Sequence, residues 1–154
     1  MGASDWADKY NLKQDKAEEV LKYCDLFFVY GSLQKGEWNH SYLLNATYVG
    51  DAVTLDKYVM GDVGFPYIFP ESVLIGDYQR SLLKPVVGEL YQVHDTDTIM
   101  SLDRLEGEGN HYHRNLIQTS TGDTCWIYEQ HDITLIQSCY ECNTTEEGEW
   151  KWNT

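Results

Sequence analysis

Residues 25–33, DLFFVYGSL, set the frame for the whole chain. Leu26, Phe27, Phe28 and Val29 form an apolar run of strand length that Gly31 closes. A run that short, ended by a glycine, reads as a strand leaving its sheet through a tight turn. Upstream the period is different. Residues 5–23, DWADKYNLKQDKAEEVLKY, place Ala17, Val20 and Leu21 at spacings of three and four, which predicts a short amphipathic helix. Downstream, Trp38 to Leu44 predicts a second short helix after the turn.

Residues 46–61 mix β-branched and aromatic residues with polar ones and predict strands, or one strand bent around Gly50. Residues 62–71, DVGFPYIFPE, hold two of the three prolines and read as a short edge strand. In PVVGELYQVH, 85–94, both alternating sets carry apolar groups, which predicts a central strand in which Glu89 needs a partner. The period then lengthens: Ile99, Leu102 and Leu105 mark a helical stripe, with Asp95, Thr96 or Asp97 as its cap and Gly107, Gly109 and Asn110 at its exit. Residues 111–120 and 123–130, joined at Thr121-Gly122-Asp123, carry the signal of a hairpin. ITLIQSCY, 133–140, reads as a last strand or helical turn, and the tail from Asn143 as acidic and partly exposed. Helices separated by hairpin-like strands give an α+β fold.

The 154 residues carry 25 Asp and Glu against 11 Lys and Arg, a formal net charge of -14. Phosphate binding needs a concentrated basic surface, and the basic residues show no cluster, so nucleic acid is not an expected partner. A hydrophobic fraction of 42% supplies a core without staples. No stretch approaches the roughly 20 apolar residues that span a bilayer, and the opening residues lack the order of a secretory signal. A cytoplasmic protein without a membrane partner is the expectation. Of the four cysteines, Cys139 and Cys142 form the only close pair, and no second pair completes a zinc site. Reduced, noncatalytic thiols are expected.

Several constellations carry chemistry. Tyr30-Gly31-Ser32-Leu33 follows the first strand, where a glycine lets backbone amides converge into a nest for a carboxylate. An ordinary strand exit explains the same glycine, and the spacing fits neither a P-loop nor a dinucleotide loop. At 102–109, a stripe that faces the core sets Glu106 beside it and turns Arg104 away. Desolvation there raises a carboxyl from about 4.3 toward the range of a proton shuttle. A solvated acidic helix end fits the position too. His111, His113 and Glu108 offer metal-ligand types, but no third fixed ligand is specified and no metal is expected. Ser32 lacks the elbow of a serine nucleophile.

Taken in order, FVYGSLQKG (28–36), Asn39 and His40, GFPYI (64–68), VVGELYQV (86–93), LDRLEG (102–107) and YHR (112–114) resemble the gamma-glutamylcyclotransferase superfamily. The likeness is to its gamma-glutamylamine cyclotransferase or AIG2-like branch. It covers residues 26–131, leaving 1–25 as an N-terminal extension with a short helix and 132–154 as a C-terminal extension with an acidic tail. The resemblance implies a small mixed β-barrel with flanking helices and no cofactor. It makes Glu106 the catalytic carboxylate and Tyr30, Gly31, Ser32 and Leu33 the anion-holding loop. Gly64 and Pro66 become a pocket-side segment, and Tyr112 and Arg114 the YxR that follows the acid. Tyr112 is expected over the substrate, and Arg114 either there or paired with Glu89 or another acid. Asp103 and Glu108 compete with Glu106 for the acid role.

The implied reaction cyclises a gamma-glutamyl amide, a small-molecule substrate, into 5-oxoproline and releases an amine or amino acid. Glu106 would take a proton from the substrate's α-ammonium and return it to the leaving amine. A noncatalytic binding protein on the same scaffold is the alternative, drawn from Trp150 and Trp152 in the polar tail. No protein partner is identified by the sequence.

Overall fold

The structure, a computed structural model, describes residues 2–107 and 112–152, with side chains from Leu12 onward. Helix α1, Gly2–Tyr23, leads into β1, Leu26–Val29, and the chain then runs through a 3-10 turn at His40–Leu43 into β2, Thr47–Val53. Next come β3, Tyr58–Asp62, β4, Pro66–Pro70, the short α2, Gly76–Arg80, and β5, Val87–Gln92. Helix α3, Thr96–Glu106, precedes the hairpin of β6, His113–Gln118, and β7, Thr124–Glu129; a 3-10 turn at Ile133–Ser138 and β8, Tyr140–Glu141, follow.

The apolar run at 26–29 becomes the middle strand of a five-stranded sheet ordered β2-β5-β1-β7-β6. It pairs antiparallel with β5, from Leu26 opposite Gln92 to Val29 opposite Glu89, and parallel with β7 through Phe27 and Trp126. Phe27, Phe28 and Val29 are buried, as expected of a strand covered on both faces. Strand β5 is central as its composition predicted, and Glu89 finds its partners in the Lys35 amide (3.0 Å) and the Tyr91 hydroxyl (2.9 Å). The bend foreseen near Gly50 is a register slip between Tyr48 and Gly50. Strand β4, bounded by its prolines, is the edge of a second sheet ordered β4-β3-β8.

The expected barrel does not close. The outer strands β2 and β6 meet at one corner, where Thr54 bridges Thr119, the Leu55 amide reaches Gln118 O (3.0 Å) and the Ser120 amide reaches Val53 O (2.8 Å). A barrel needs a ladder along the full edge at a matched stagger, whereas twist brings these two strands together only at their ends.

Helix α3 starts where Asp95 accepts the Thr98 amide at 3.2 Å and stops at Gly107 in the left-handed conformation, φ 61°. Ile99 and Leu102 are fully buried, and α1 packs on this helix with Ala17 and Val20 inward. Among the described residues no helix is long and apolar enough to cross a membrane.

The tail is partly exposed as read, but its tryptophans are not part of the exposed surface. Trp150 and Trp152 are 3% and 4% exposed. Residues Glu149, Trp150, Lys151 and Trp152 alternate like a strand, which turns both indoles inward and leaves Lys151 outside. Trp150 is tied on both sides: its amide donates to Pro85 O (2.8 Å), its carbonyl accepts from the Val87 amide (2.9 Å), and its indole N–H donates to Tyr58 O (2.9 Å).

Because a buried Trp replaced by Ala costs about 3 to 5 kcal/mol, Trp150→Ala should lower the unfolding free energy by that amount. Urea titration of both proteins measures it, and a midpoint unmoved by the substitution would show that the tail is not part of the core.

Candidate active site

The chain leaves β1 at Tyr30 and runs into a loop braced from behind. Gln34 Nε2 donates to Tyr30 O (2.9 Å), the Asn39 amide donates to Ser32 O (2.9 Å), and His40 Nδ1 donates to Leu33 O (2.9 Å). Asn39 Nδ2 also donates to Ser32 Oγ at 2.9 Å. The loop's carbonyls are thus occupied. Among the described residues the amides of Gly31, Ser32 and Leu33 donate to no backbone carbonyl, and Gln34 is the first amide in the turn to do so, onto Gly31 O at 3.0 Å.

Gly31 has an ordinary negative φ, so a left-handed turn is not what demands it. A Cβ there would lie 2.7 Å from Pro66 Cγ and 2.9 Å from Pro66 Cδ. The glycine exists to let the Pro66 ring close on the loop. Gly64 (φ 98°), whose amide donates to Asp62 Oδ1 at 2.8 Å, shapes the turn between β3 and β4 that delivers Pro66. Gly64 itself does not line the cavity described next.

A cavity of about 210 Å³ opens between the loop, the start of β4 and the end of α3. Seven of the residues named from the sequence, Tyr30, Gly31, Ser32, Leu33, Pro66, Glu106 and Tyr112, line it, and Gly64 and Arg114 do not. Two of them are walls with committed polar atoms. Tyr30 donates its hydroxyl to Tyr128 O (2.6 Å) and Tyr112 donates its own to Pro66 O (3.0 Å). Burial pushes both phenols far above their usual range, so neither serves as a base near neutral pH.

Glu106, the last residue of α3, presents its carboxyl to this apolar lining. Desolvation, and then the negative charge of Asp103 one turn earlier, push it up to about 7. Asp103 is engaged elsewhere: it accepts the Tyr128 hydroxyl at 2.5 Å and pairs with the Arg114 guanidinium. Arg114 therefore pairs with an acid, but with Asp103 and not Glu89. Glu108 and His111 lie outside the described residues. His113 stacks flat on His131, ring centroids 4.2 Å apart, and His131 Nε2 meets Glu129 Oε1 at 2.9 Å.

Among the lining residues given no role from the sequence, Trp38 and Tyr128 lie outside every quoted motif, and Phe65 stands inside GFPYI. Tyr128 shares a strand face with Trp126, an alternation that could have marked it. Nothing local marked Trp38, and the motif around Phe65 gave it no role, because the place of both depends on the loop meeting β4.

The chain is similar to known proteins over most of its length. The family model for gamma-glutamyl cyclotransferase, AIG2-like, matches residues 27–152. A Vibrio cholerae protein that carries the gamma-glutamylcyclotransferase name is 34% identical over 125 residues, 81% of this chain and 94% of that one. The Escherichia coli K12 gamma-glutamylcyclotransferase family protein YtfP is 34% identical over 102 residues, 66% of this chain and 78% of its own. Among solved structures, a mouse AIG2-like protein superposes with a TM-score of 0.58 at 19% identity, over 84% of this chain and 96% of that one, a likeness of fold.

A carboxyl raised from 4.5 to about 7 binds its proton more tightly folded than unfolded. Stability should therefore fall as pH rises from about 4.5 to 7 and level off above, a loss of about 3 kcal/mol. Glu106→Gln has no proton to lose. It is expected to match the parent near pH 4 and exceed its stability at pH 8, by urea unfolding at both pH values. Parallel pH profiles would show that Glu106 is not desolvated.

Proposed function

The chain belongs to the AIG2-like gamma-glutamyl cyclotransferase family, and we propose that it converts a gamma-glutamyl amide into 5-oxoproline and a free amine or amino acid. The observation that carries this reading is a single carboxyl titrating near neutrality, on a cavity it shares with three uncommitted backbone amides.

In the proposed mechanism the Gly31, Ser32 and Leu33 amides hold the substrate's α-carboxylate, as a nest of N–H groups does for an anion. The γ-carbonyl then folds back toward the α-nitrogen. Glu106 takes one proton from the α-ammonium, and the freed lone pair attacks the γ-carbon to close a five-membered ring. As the tetrahedral intermediate collapses, the C–N bond to the leaving amine breaks and Glu106 returns that proton to the departing nitrogen; the second proton on the ring nitrogen follows the same route, so 5-oxoproline leaves as the neutral lactam and the amine as its ammonium. Atoms and charge balance with no water or redox partner, so no cofactor enters the mechanism. An α-ammonium titrates near 8, close enough to a carboxyl near 7 for transfer in both directions. Fixing the two reacting atoms of one molecule supplies several kcal/mol of the roughly 7 to 11 available to well-oriented ring closures.

The noncatalytic alternative drew on the tail tryptophans as anchors for a partner. Both indoles are buried in this chain's own core, which removes that support.

Mass-resolved detection of 5-oxoproline, across gamma-glutamyl amino acids and gamma-glutamylamines, tests the reading. Glu106→Gln is expected to lower turnover by about 10² to 10⁴ while remaining folded. In the parent, kcat/KM should rise with pH up to about 7 as Glu106 ionises, and fall again above about 8 as the substrate amine loses the proton the leaving group needs. Undiminished turnover by folded Glu106→Gln would remove the residue from the mechanism.

A further inference from the structure

Beyond the reacting head of the substrate, the cavity has an outer part with its own chemistry. Trp38 and Phe65 line it and are also 57% and 37% exposed, which puts them at its mouth. Neither ring is loose. Trp38 meets the buried Trp152 edge to face, centroids 5.6 Å apart at 76°, and Phe65 meets the buried Tyr67 at 5.5 Å and 88°. Two exposed aromatic rings, each braced from below by a buried one, form a preorganised aromatic rim.

Charge at the rim is equally informative. Among the described residues no Lys, Arg or His lines the cavity. Of the cations close in sequence, Lys35 sits over the Tyr48 ring at 3.2 Å, Arg114 is paired with Asp103, and Arg104 is exposed on α3 and does not line the cavity. The carboxyl that lines the cavity among the described residues, that of Glu106, is acidic, as is the chain at net charge -14. The three loop amides can satisfy one carboxylate. A second one, carried on the leaving group, would enter an apolar space with no counter-charge among the described residues and a carboxyl nearby, which desolvation and like-charge repulsion both oppose.

Resting on the cyclotransferase reading, we infer that the substrate's leaving group is an aromatic amine without a carboxylate, its ring held between Trp38 and Phe65. The class is a gamma-glutamyl conjugate of an arylalkyl amine. Ring contacts of this kind favour offset or edge-to-face packing and are worth about a tenfold change in affinity.

The test uses three conjugates of γ-glutamate: with phenethylamine, with ethylamine, and with phenylalanine, which carries the same ring plus a carboxylate. The parent is expected to turn over the phenethylamine conjugate with a kcat/KM about tenfold or more above each of the others, mainly through KM. In Trp38→Ala, and separately in Phe65→Ala, the preference for phenethylamine over ethylamine should shrink toward one. Equal use of the phenylalanine and phenethylamine conjugates, or a preference that survives both substitutions, overturns the inference and leaves the reaction class standing. Release of no 5-oxoproline from any conjugate overturns the reaction instead. Calorimetric titration of the same three conjugates then reads the rim directly: tenfold tighter binding of the phenethylamine conjugate supports it, and equal binding refutes it.

Discussion

The contact on which the rest of the molecule depends is the closure of the Pro66 ring onto Gly31. At 2.7 Å from the place a Cβ would occupy, the ring leaves room for glycine alone. That contact joins the exit of β1, in the five-stranded sheet, to the first residue of β4, in the three-stranded one. Pro66 adds a second fastening through its carbonyl, which accepts the Tyr112 hydroxyl at 3.0 Å. One residue therefore fixes the loop, the second sheet and the segment that follows α3, and the cavity is the space these three enclose. Proline suits the post because it gives up no ladder donor that an edge strand needs and keeps its ring rigid.

Within that frame Glu106 is placed where the fold gains least from it. An ionised carboxyl against an apolar wall opposes folding, and Asp103 one turn away adds to the opposition. The rest of the neighbourhood is arranged so that only Glu106 is held this way. Asp103 accepts from Tyr128 and Arg114, Glu89 accepts from the Lys35 amide and Tyr91, and Glu129 accepts from Tyr58. Glu106, without such a donor among the described residues, is pushed toward neutrality by its burial. Such an unrelieved group is the usual mark of a functional position.

How much of this could be read from the sequence follows from which forces are local. The strand at 26–29, the cap at Asp95, the helix exit at Gly107 and the hairpin turn at 121–123 are written in periods and turn residues a few positions apart, and all appear where the sequence puts them. The open sheet was not legible, because closure depends on how far twist separates β2 from β6. The reason for Gly31 was not legible either: a glycine after a strand signals a turn, while the constraint here is a ring 35 residues away in the chain. In the tail, which is partly exposed as read, the two tryptophans were misread through composition. Its acidic residues suggested exposure, although the alternation of Glu149, Trp150, Lys151 and Trp152 held the contrary message.

That misreading bears on how the two ends of the cavity are built. The inner end consists of backbone amides and one carboxyl, on a strand exit and a helix terminus that the sheets hold rigidly. The rim consists of side chains, Trp38 on a loop and Phe65 in a turn, and Trp38 takes its orientation from Trp152 near the far end of the chain. Changes at 38, 65 or 152 can therefore reshape what meets the leaving group without disturbing Gly31, Pro66 or Glu106. On the proposed reading, chemistry and selectivity rest on separable parts of one fold. Gamma-glutamyl recognition stays with the backbone, and the choice of amine falls to a few aromatic side chains supplied by loops and the C-terminal segment.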